Sequence, residues 1–185
     1  MNVPAGLGRF QRPTILALGV KRLSDDSKAI VKSGIDKAAN ELSLYLDKLG
    51  YKRTKKWLWT RRNLNSVDFI SFSTVGGSYG APINNSIWIR LECGNRLLDD
   101  ERDYLHVNGP FRSDSPKLRE NKYHHRFNAK SGSTYERCMT DLIRYIDEII
   151  EPWFFSNDSE SGASLNNPTH IKQSYKLLGI KGVKV

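Results

Sequence analysis

With 185 residues, of which 38% are hydrophobic and 26% charged, the chain has the composition of a folded globular protein, which excludes the disordered and fibrous classes. A chain of this length buries about 70% of its unfolded surface, so a core can form without disulfide bonds or metals. Lys and Arg number 29 against 20 Asp and Glu, and this net charge of +9 favours an anionic partner.

A long amphipathic helix is the first regular element that the sequence predicts. Prolines and glycines make residues 1–13 an irregular arm, whereas Ser and Asp at 24–27 can cap a helix because their oxygens accept hydrogen bonds from its free amides. Gly50 supplies the left-handed geometry at which helices often end. Between these signals apolar residues recur every three or four positions: Ile30, Val31, Ile35, Ala38, Ala39, Leu42, Tyr45, Leu46 and Leu49.

Three strands are predicted next, at residues 51–62, 67–74 and 86–93. Aromatic and β-branched residues are enriched in these segments, which are bounded by Asn, Ser and Gly. The short turns between successive strands favour an antiparallel meander covered on one side by helices. The following region is irregular in composition, and residues 104–107 could add a fourth strand.

Two further helices are predicted towards the C-terminus. Residues 133–136 have the pattern of a capping box, and the apolar spacing after them predicts a helix that ends near Pro152. A polar linker precedes a short helix at 167–179. The expected fold is α+β: an antiparallel sheet of three to five strands, two long amphipathic helices on one face and a short C-terminal helix. We expect residues 1–155 to form one domain and 156–185 to form a loop, the short helix and a basic tail.

Four short segments occur in an order that is similar to that of a known family. They are Leu49-Gly50-Tyr51-Lys52, Trp57-Leu58-Trp59-Thr60-Arg61, Phe69-Ile70-Ser71-Phe72 and Glu151-Pro152-Trp153-Phe154. In this order they resemble the bacterial family called "domain of unknown function 4304", over residues 35–155. The chain departs from that pattern at Ser71, where a larger amide is expected, and in its long central insertion. The resemblance implies an α+β fold and an accessory protein of bacteria or mobile elements, and it implies no catalytic activity.

A basic strip at residues 52–62 is the first candidate binding surface. Six Lys and Arg residues are interleaved there with Trp57 and Trp59, a combination that single-strand binders use to hold phosphates and stack bases. The two tryptophans, two positions apart, would share one face of a strand, and tryptophans on such a strand more often pack under helices as core than form a binding platform. The glycine-rich loop and the third strand add three residues of types that are common in binding sites. The candidate anion- or partner-binding residues are therefore Lys52, Arg53, Lys55, Lys56, Arg61, Arg62, Tyr79, Trp88 and Arg90.

A metal-dependent nuclease is a further hypothesis. It depends on Glu120 and Lys122, with Asp99, Asp100 or Asp103 upstream, because such enzymes hold a cation with acids and place a Lys near the attacked phosphate. Short patterns of this kind also arise by chance in charged chains.

Cysteine and histidine provide no further site. Cys93 and Cys138 are too few for a disulfide framework and are interpreted as small core residues. His124 and His125 are adjacent, so on a strand they would point to opposite faces and could not chelate together. We therefore assign no catalytic residue, metal ligand or cofactor.

The function that these features favour is binding without catalysis. We expect a protein of bacterial or phage origin, of an accessory, immunity or defence type, whose basic face engages an acidic protein or a small anionic ligand. Nucleic-acid binding is the alternative, and the nuclease is third. The N-terminus has no signal-peptide pattern and the longest apolar runs are too short for a bilayer, so we expect a cytoplasmic location and no membrane partner.

Overall fold

The structure, a computed structural model, describes residues 25–75, 85–110, 122–157 and 167–182. The described part is α+β, as predicted. Its elements in chain order are α1 (Asp25–Lys48), β1 (Lys52–Lys55), β2 (Leu58–Arg62), β3 (Ser66–Val75), β4 (Ser86–Leu97), β5 (Arg126–Asn128), α2 (Tyr135–Tyr145), a π-helical turn (Ile146–Ile150), α3 (Glu151–Asn157) and α4 (Pro168–Leu178).

The strands form one antiparallel sheet in the order β1-β2-β3-β4-β5. The prediction of one strand at 51–62 was wrong, because β1 and β2 are the two arms of a hairpin. The register shifts between Arg53 and Lys55, and Arg53 Nε donates a hydrogen bond to the carbonyl oxygen of Lys56 at 2.9 Å. This bond closes the turn at Lys56 and Trp57. The register shift is a β-bulge in β1, and a bulge increases the local twist of a strand.

Both long helices pack on the same face of the sheet, which we call the first face. Their buried residues and those of the strands form one apolar cluster in which Trp59, Ile70, Ile89 and Leu91 represent the sheet. Helix α1 ends as predicted, with Gly50 at a φ of +85°. The first face therefore carries the main core, and α1 borders the β1–β2 hairpin.

The second face is covered at one end by α4, so the expectation of helices on one side was incomplete. Leu58 of β2 and Val67 and Phe69 of β3 point away from the main core and pack against Tyr175 and Leu178 of α4. The reason lies in the strands, which carry apolar residues on both faces at this end. Asn167 caps α4, and its side chain accepts from the backbone N–H groups of the residues two and three positions on.

Two predicted boundaries differ from the structure. The capping box at 133–136 is not formed: Thr134 has a φ of +62°, and its hydroxyl donates to the carbonyl oxygen of Arg126 instead, which ties α2 to β5. The second long helix also continues past Pro152 to Asn157. The π-helical turn lies directly before this proline and changes the hydrogen-bond pattern there, so the missing N–H of the proline does not end the helix.

The free edge of β4 is closed by an irregular segment. Residues 104–107, which could have formed a strand, are not in the sheet. The backbone N–H of Gly109 donates to the carbonyl oxygen of Cys93 at 3.0 Å, and Asn108 Oδ1 accepts from the N–H of Asn95 at 2.9 Å. These bonds satisfy edge groups that would otherwise be open to another strand.

Candidate functional site

The predicted binding residues do not form one surface. Tyr79 lies outside the described residues. The other eight are divided between a buried network, the side of the hairpin that faces α1, and the second face of the sheet. Each of these residues therefore has to be assigned to a surface by the position of its side chain.

Arg61 belongs to a polar network between the sheet and α3. Its guanidinium donates to Glu151 Oε2 at 2.7 Å and to Asp68 Oδ2 at 3.1 Å, and it lies over the ring of Tyr51. Tyr51 in turn donates its hydroxyl hydrogen to Glu151 Oε1 at 2.8 Å, and Asn95 Nδ2 donates to Asp68 Oδ1 at 2.7 Å. Every one of these bonds is internal to the fold, so Arg61 is a structural cation.

The charges in this network stabilise one another. Burial alone would lower the pKa of Arg61, but the hydrogen bond to Glu151 and the surrounding negative charge raise it on balance. Burial raises the pKa of the Tyr51 hydroxyl, and the hydrogen bond to Glu151 adds to this, although the charge of Arg61 opposes both. A neutral phenol and a charged guanidinium are thus the stable forms, and neither is suited to proton transfer.

Three cations of the hairpin contact α1. Lys52 pairs with Asp47 at 2.5 Å, Arg53 Nη1 donates to Asn40 Oδ1 at 2.9 Å, and Lys56 lies 3.6 Å from Asp36. These side chains are exposed, so each ion pair contributes little to stability. They bring the positive charge of the hairpin to the border of α1.

The two tryptophans of the hairpin have different positions, although the sequence places them two residues apart. Trp59 is 1% exposed in the core, and its Nε1–H donates to Ser43 Oγ at 2.9 Å. Trp57 lies in the turn and is only partly buried, with its ring centroid 6.1 Å from that of Phe72. Trp59 is therefore a core residue, whereas Trp57 lines the surface.

Trp57 forms part of the floor of an apolar groove that we call the lysine groove. It is a cavity of about 270 Å³ lined by Lys28, Val31, Lys32, Ile35, Asp36, Lys56 and Trp57. Lys56 Nζ lies 4.7 Å from the centroid of the Trp57 ring, and Lys32 has no ion pair among the residues that the structure describes. The groove thus combines an apolar floor with a cationic rim.

The groove could not be identified from the sequence. Lys28 and Lys32 lie on the exposed side of α1, and Val31 and Ile35 belong to its apolar spacing. A helical spacing of four puts each pair on one line along the helix. The sequence does not show that the turn of the hairpin, with Lys56 and Trp57, packs beside both of these rows of side chains on α1.

The second surface is the part of the second face that α4 does not cover. Register and alternation place six side chains there, which define the open face: Ser71, Ser73, Trp88, Arg90, Glu92 and Arg126. Trp88 is 36% exposed and lies directly opposite Arg126 on β5. The side chains of Arg90 and Glu92 are 50% and 28% exposed and lie 3.6 Å apart.

Lys55 and Arg62 lie near α4 instead. The methylene chain of Lys55 contacts the backbone at Gly179, and the guanidinium of Arg62 lies 5.6 Å from the ring centroid of Tyr175. These two cations therefore border the helix that covers the sheet and lie on β1 and β2, outside the open face, whose side chains come from β3, β4 and β5.

Of the acids named for a nuclease, Asp100 has another role. Asp100 accepts two hydrogen bonds from Arg102 Nε and Nη2, at 2.9 and 2.5 Å. Burial alone would raise the pKa of Asp100, but the hydrogen bonds from Arg102 hold it below its usual value on balance. Glu120 lies outside the described residues, and within the described ranges no three His, Cys, Asp or Glu side chains are grouped so that they could hold a metal ion.

Both thiols are unsuited to nucleophilic catalysis. Cys93 and Cys138 are free and buried, and burial raises the pKa of each to about 12. A thiol must ionise to attack, and at pH 8 a pKa of about 12 leaves about one thiolate in ten thousand.

We expect both cysteines to stay unmodified when the folded protein is incubated at pH 8 with a thiol-specific reagent, and to react within the mixing time after denaturation in urea. The measurement is the count of modified thiols by mass spectrometry in the two conditions. Rapid labelling of either cysteine in the folded protein would contradict the burial described above.

None of the described helices has a stretch long and apolar enough to cross a bilayer. No protein-family model, curated protein or solved structure matches the chain. The resemblance to the "domain of unknown function 4304" family therefore stays a prediction, and the geometry of the surfaces is what bears on function.

Proposed function

We propose that this protein is a non-catalytic binding protein that engages an acidic segment of a partner protein through the lysine groove. The observation that carries the proposal is the combination of an apolar floor, made by Val31, Ile35 and Trp57, with a rim of three lysines. An accessory role in a bacterium or phage would agree with the resemblance of the sequence. The open face is a different surface and plays no part in this proposal.

The size of the groove supports a peptide anchor over a complete small molecule. Sites for small molecules usually measure about 300–1,000 Å³, and this groove measures about 270 Å³. A groove whose volume is just below that range suits one or two bulky side chains of a bound segment. Interfaces of this kind depend on a few large apolar anchors set among charged residues.

The charges on the rim select the flanking residues of that segment. Three lysines and one acid, Asp36, are among the described residues that line the groove, and Asp36 lies 3.6 Å from Lys56. An incoming carboxylate would meet a positive potential, which raises the association rate and rejects basic competitors. The preferred segment therefore has acidic residues on both sides of an apolar anchor.

The indole of Trp57 adds a directional feature. Its Nε1 atom is buried and has no hydrogen-bond acceptor among the described residues. A buried donor without a partner costs about 1–3 kcal/mol. Because this atom is closed to solvent, a carbonyl oxygen of a bound segment would supply the missing acceptor only after the indole edge turned towards the groove, and binding in that arrangement would remove part of this cost.

The proposal is tested by titrating the protein with a short fluorescent peptide of Glu and Asp residues around one Phe and one Leu. We expect Trp57→Ala to weaken binding by about tenfold or more, because tryptophan anchors typically contribute upwards of about 2 kcal/mol. Lys32→Glu should also weaken binding, chiefly through slower association. Anisotropy at two salt concentrations measures both effects.

Two controls separate this site from general attraction to a basic protein. Lys172→Glu makes the same charge change on an exposed position of α4 and should leave affinity unchanged within about twofold. A peptide with Ser in place of Phe and Leu should bind much more weakly. If Lys172→Glu is as harmful as Lys32→Glu, or the serine peptide binds equally well, the lysine groove is not the site.

A further inference from the structure

We infer that the open face is a second binding site, which takes single-stranded nucleic acid by stacking a base on Trp88 and holding phosphates with Arg90 and Arg126. This goes beyond the proposed function, because it concerns another surface and another class of ligand. The open face and the lysine groove lie on different sides of the sheet, so either site can fail without the other.

The positions of the three side chains follow from the register of the sheet. Trp88 and Arg126 are direct partners across β4 and β5, so their side chains emerge next to each other on the same face. Arg90 is two residues further along β4 and therefore emerges on that face too, about 6.8 Å from Trp88. An exposed aromatic ring with a cation beside it and another along the strand is the arrangement of a stacking platform.

The chemistry of the surface fits a polyanion with flat bases. Trp88 is 36% exposed, which leaves part of the indole accessible, and every base has an aromatic face that can stack on it. Arginine can donate two parallel hydrogen bonds to a phosphate. Ser73 adds a hydroxyl group on the neighbouring strand, which supplies a donor to phosphate or sugar, whereas the Ser71 hydroxyl donates to the carbonyl oxygen of Glu92 at 3.3 Å.

One carboxylate shares the open face. Glu92 lies 3.6 Å from Arg90, and its side chain is less exposed than that of the arginine, at 28% against 50%. Glu92 therefore faces one edge of the Arg90 guanidinium, at Nη1, while half of the arginine side chain remains exposed. The two exposed arginines against one half-buried acid leave a net positive surface.

Unpaired strands fit this surface better than a duplex. In a duplex the bases are stacked on one another and only their edges are accessible from the grooves. The open face is a sheet surface on which the described elements provide no helix or ribbon that could enter a groove. Sheets that recognise nucleic acid through aromatic residues do so with unstacked, single-stranded bases.

The experiment measures the affinity of labelled oligothymidine, oligouridine and a mixed-sequence duplex at low salt by anisotropy. We expect both single strands to bind and the duplex to bind more weakly. Trp88→Ala should weaken single-strand binding by about 5- to 150-fold, the range that corresponds to the loss of one stacked base. Arg90→Gln with Arg126→Gln should flatten the log–log salt slope by about 1.4, because each phosphate contact on a single strand contributes about 0.7.

Matched variants show whether the effects belong to the open face. Phe155→Ala removes a ring that is 86% exposed at the end of α3, and Lys172→Gln with Lys176→Gln removes two exposed cations from α4. Neither should change affinity by more than about twofold. The inference is overturned if these controls weaken binding as much as the open-face variants, if the duplex binds as tightly as the single strands, or if no oligonucleotide binds. Stronger binding of oligouridine than of oligothymidine would assign the site to RNA.

Discussion

Replacement of Arg96 with Met is expected to lower the free energy of unfolding by about 3–5 kcal/mol, the cost of breaking a buried charged network. Arg96 is 2% exposed on the second face, where its guanidinium donates to Ser174 Oγ at 2.8 Å and to three backbone carbonyl oxygens. Burial lowers its pKa, but Asp100 at 3.8 Å opposes this. Methionine fills the space without satisfying any of these acceptors, and each orphaned carbonyl costs free energy.

The measurement is urea unfolding followed by fluorescence, with Arg90→Met as the matched control. Arg90 lies on the same strand, and its one ion pair within the described ranges is with the partly exposed Glu92, so the same substitution should cost at most about 0.5–1 kcal/mol. Because Arg96 connects β4 to α4 and to residues 100–104, its loss should also increase hydrogen exchange in α4. Equal destabilisation by the two substitutions would show that burial of Arg96 is not the cause.

The second large effect is expected for Arg61→Met, at roughly 3 kcal/mol. The substitution leaves the carboxylates of Asp68 and Glu151 without their shared cation, and Asp68 is 3% exposed. Arg62→Met is the neighbouring control, since it removes only a contact with the Tyr175 ring at 5.6 Å, worth about 0.5–1 kcal/mol at an exposed site.

A combined variant identifies the source of that cost. If the unpaired charges are responsible, Arg61→Met together with Asp68→Asn and Glu151→Gln should be more stable than Arg61→Met alone. The same unfolding experiment measures this difference. A combined variant that is less stable by the sum of separate losses would assign the cost to packing and hydrogen bonds instead.

Local patterns predicted the parts of the fold that depend on local periodicity. The spacing of apolar residues and Gly50 located α1 to within a few residues of its end, because helix termination is decided by the backbone of one residue. The alternation of Ile87, Ile89 and Leu91 marks the buried side of β4, which a period of two in the sequence is sufficient to show. Antiparallel pairing followed from the short turns between strands.

Positions that depend on contacts distant in the sequence could not be predicted. Arg61 and Arg62 are adjacent and chemically identical, yet only Arg61 meets Glu151, which lies 90 residues away. The burial of Arg96 was not predicted, because no local pattern in the sequence shows that α4 would cover it and supply Ser174 as a hydrogen-bond partner. The hairpin turn at Trp57 was missed because the bond that closes it, from Arg53 to the Lys56 carbonyl, interrupts a continuous strand pattern.

The binding surfaces show the same division. The prediction grouped the candidate residues by their proximity along the chain, and their role in binding stays a prediction. The structure groups Lys56 and Trp57 with α1, and Trp88 and Arg90 with β5. Only the pairing of elements could assign each side chain to a surface.

Binding of an acidic segment in the lysine groove can be measured directly at the indole N–H signals in a proton–nitrogen correlation spectrum. The chain has four tryptophans, and Trp57→Phe assigns the signal of Trp57. On addition of the acidic peptide with its Phe and Leu anchors, we predict a progressive shift of the Trp57 signal, whereas the signal of the buried Trp59 should stay in place. Saturable peptide binding that leaves the Trp57 signal unmoved would contradict binding in the lysine groove.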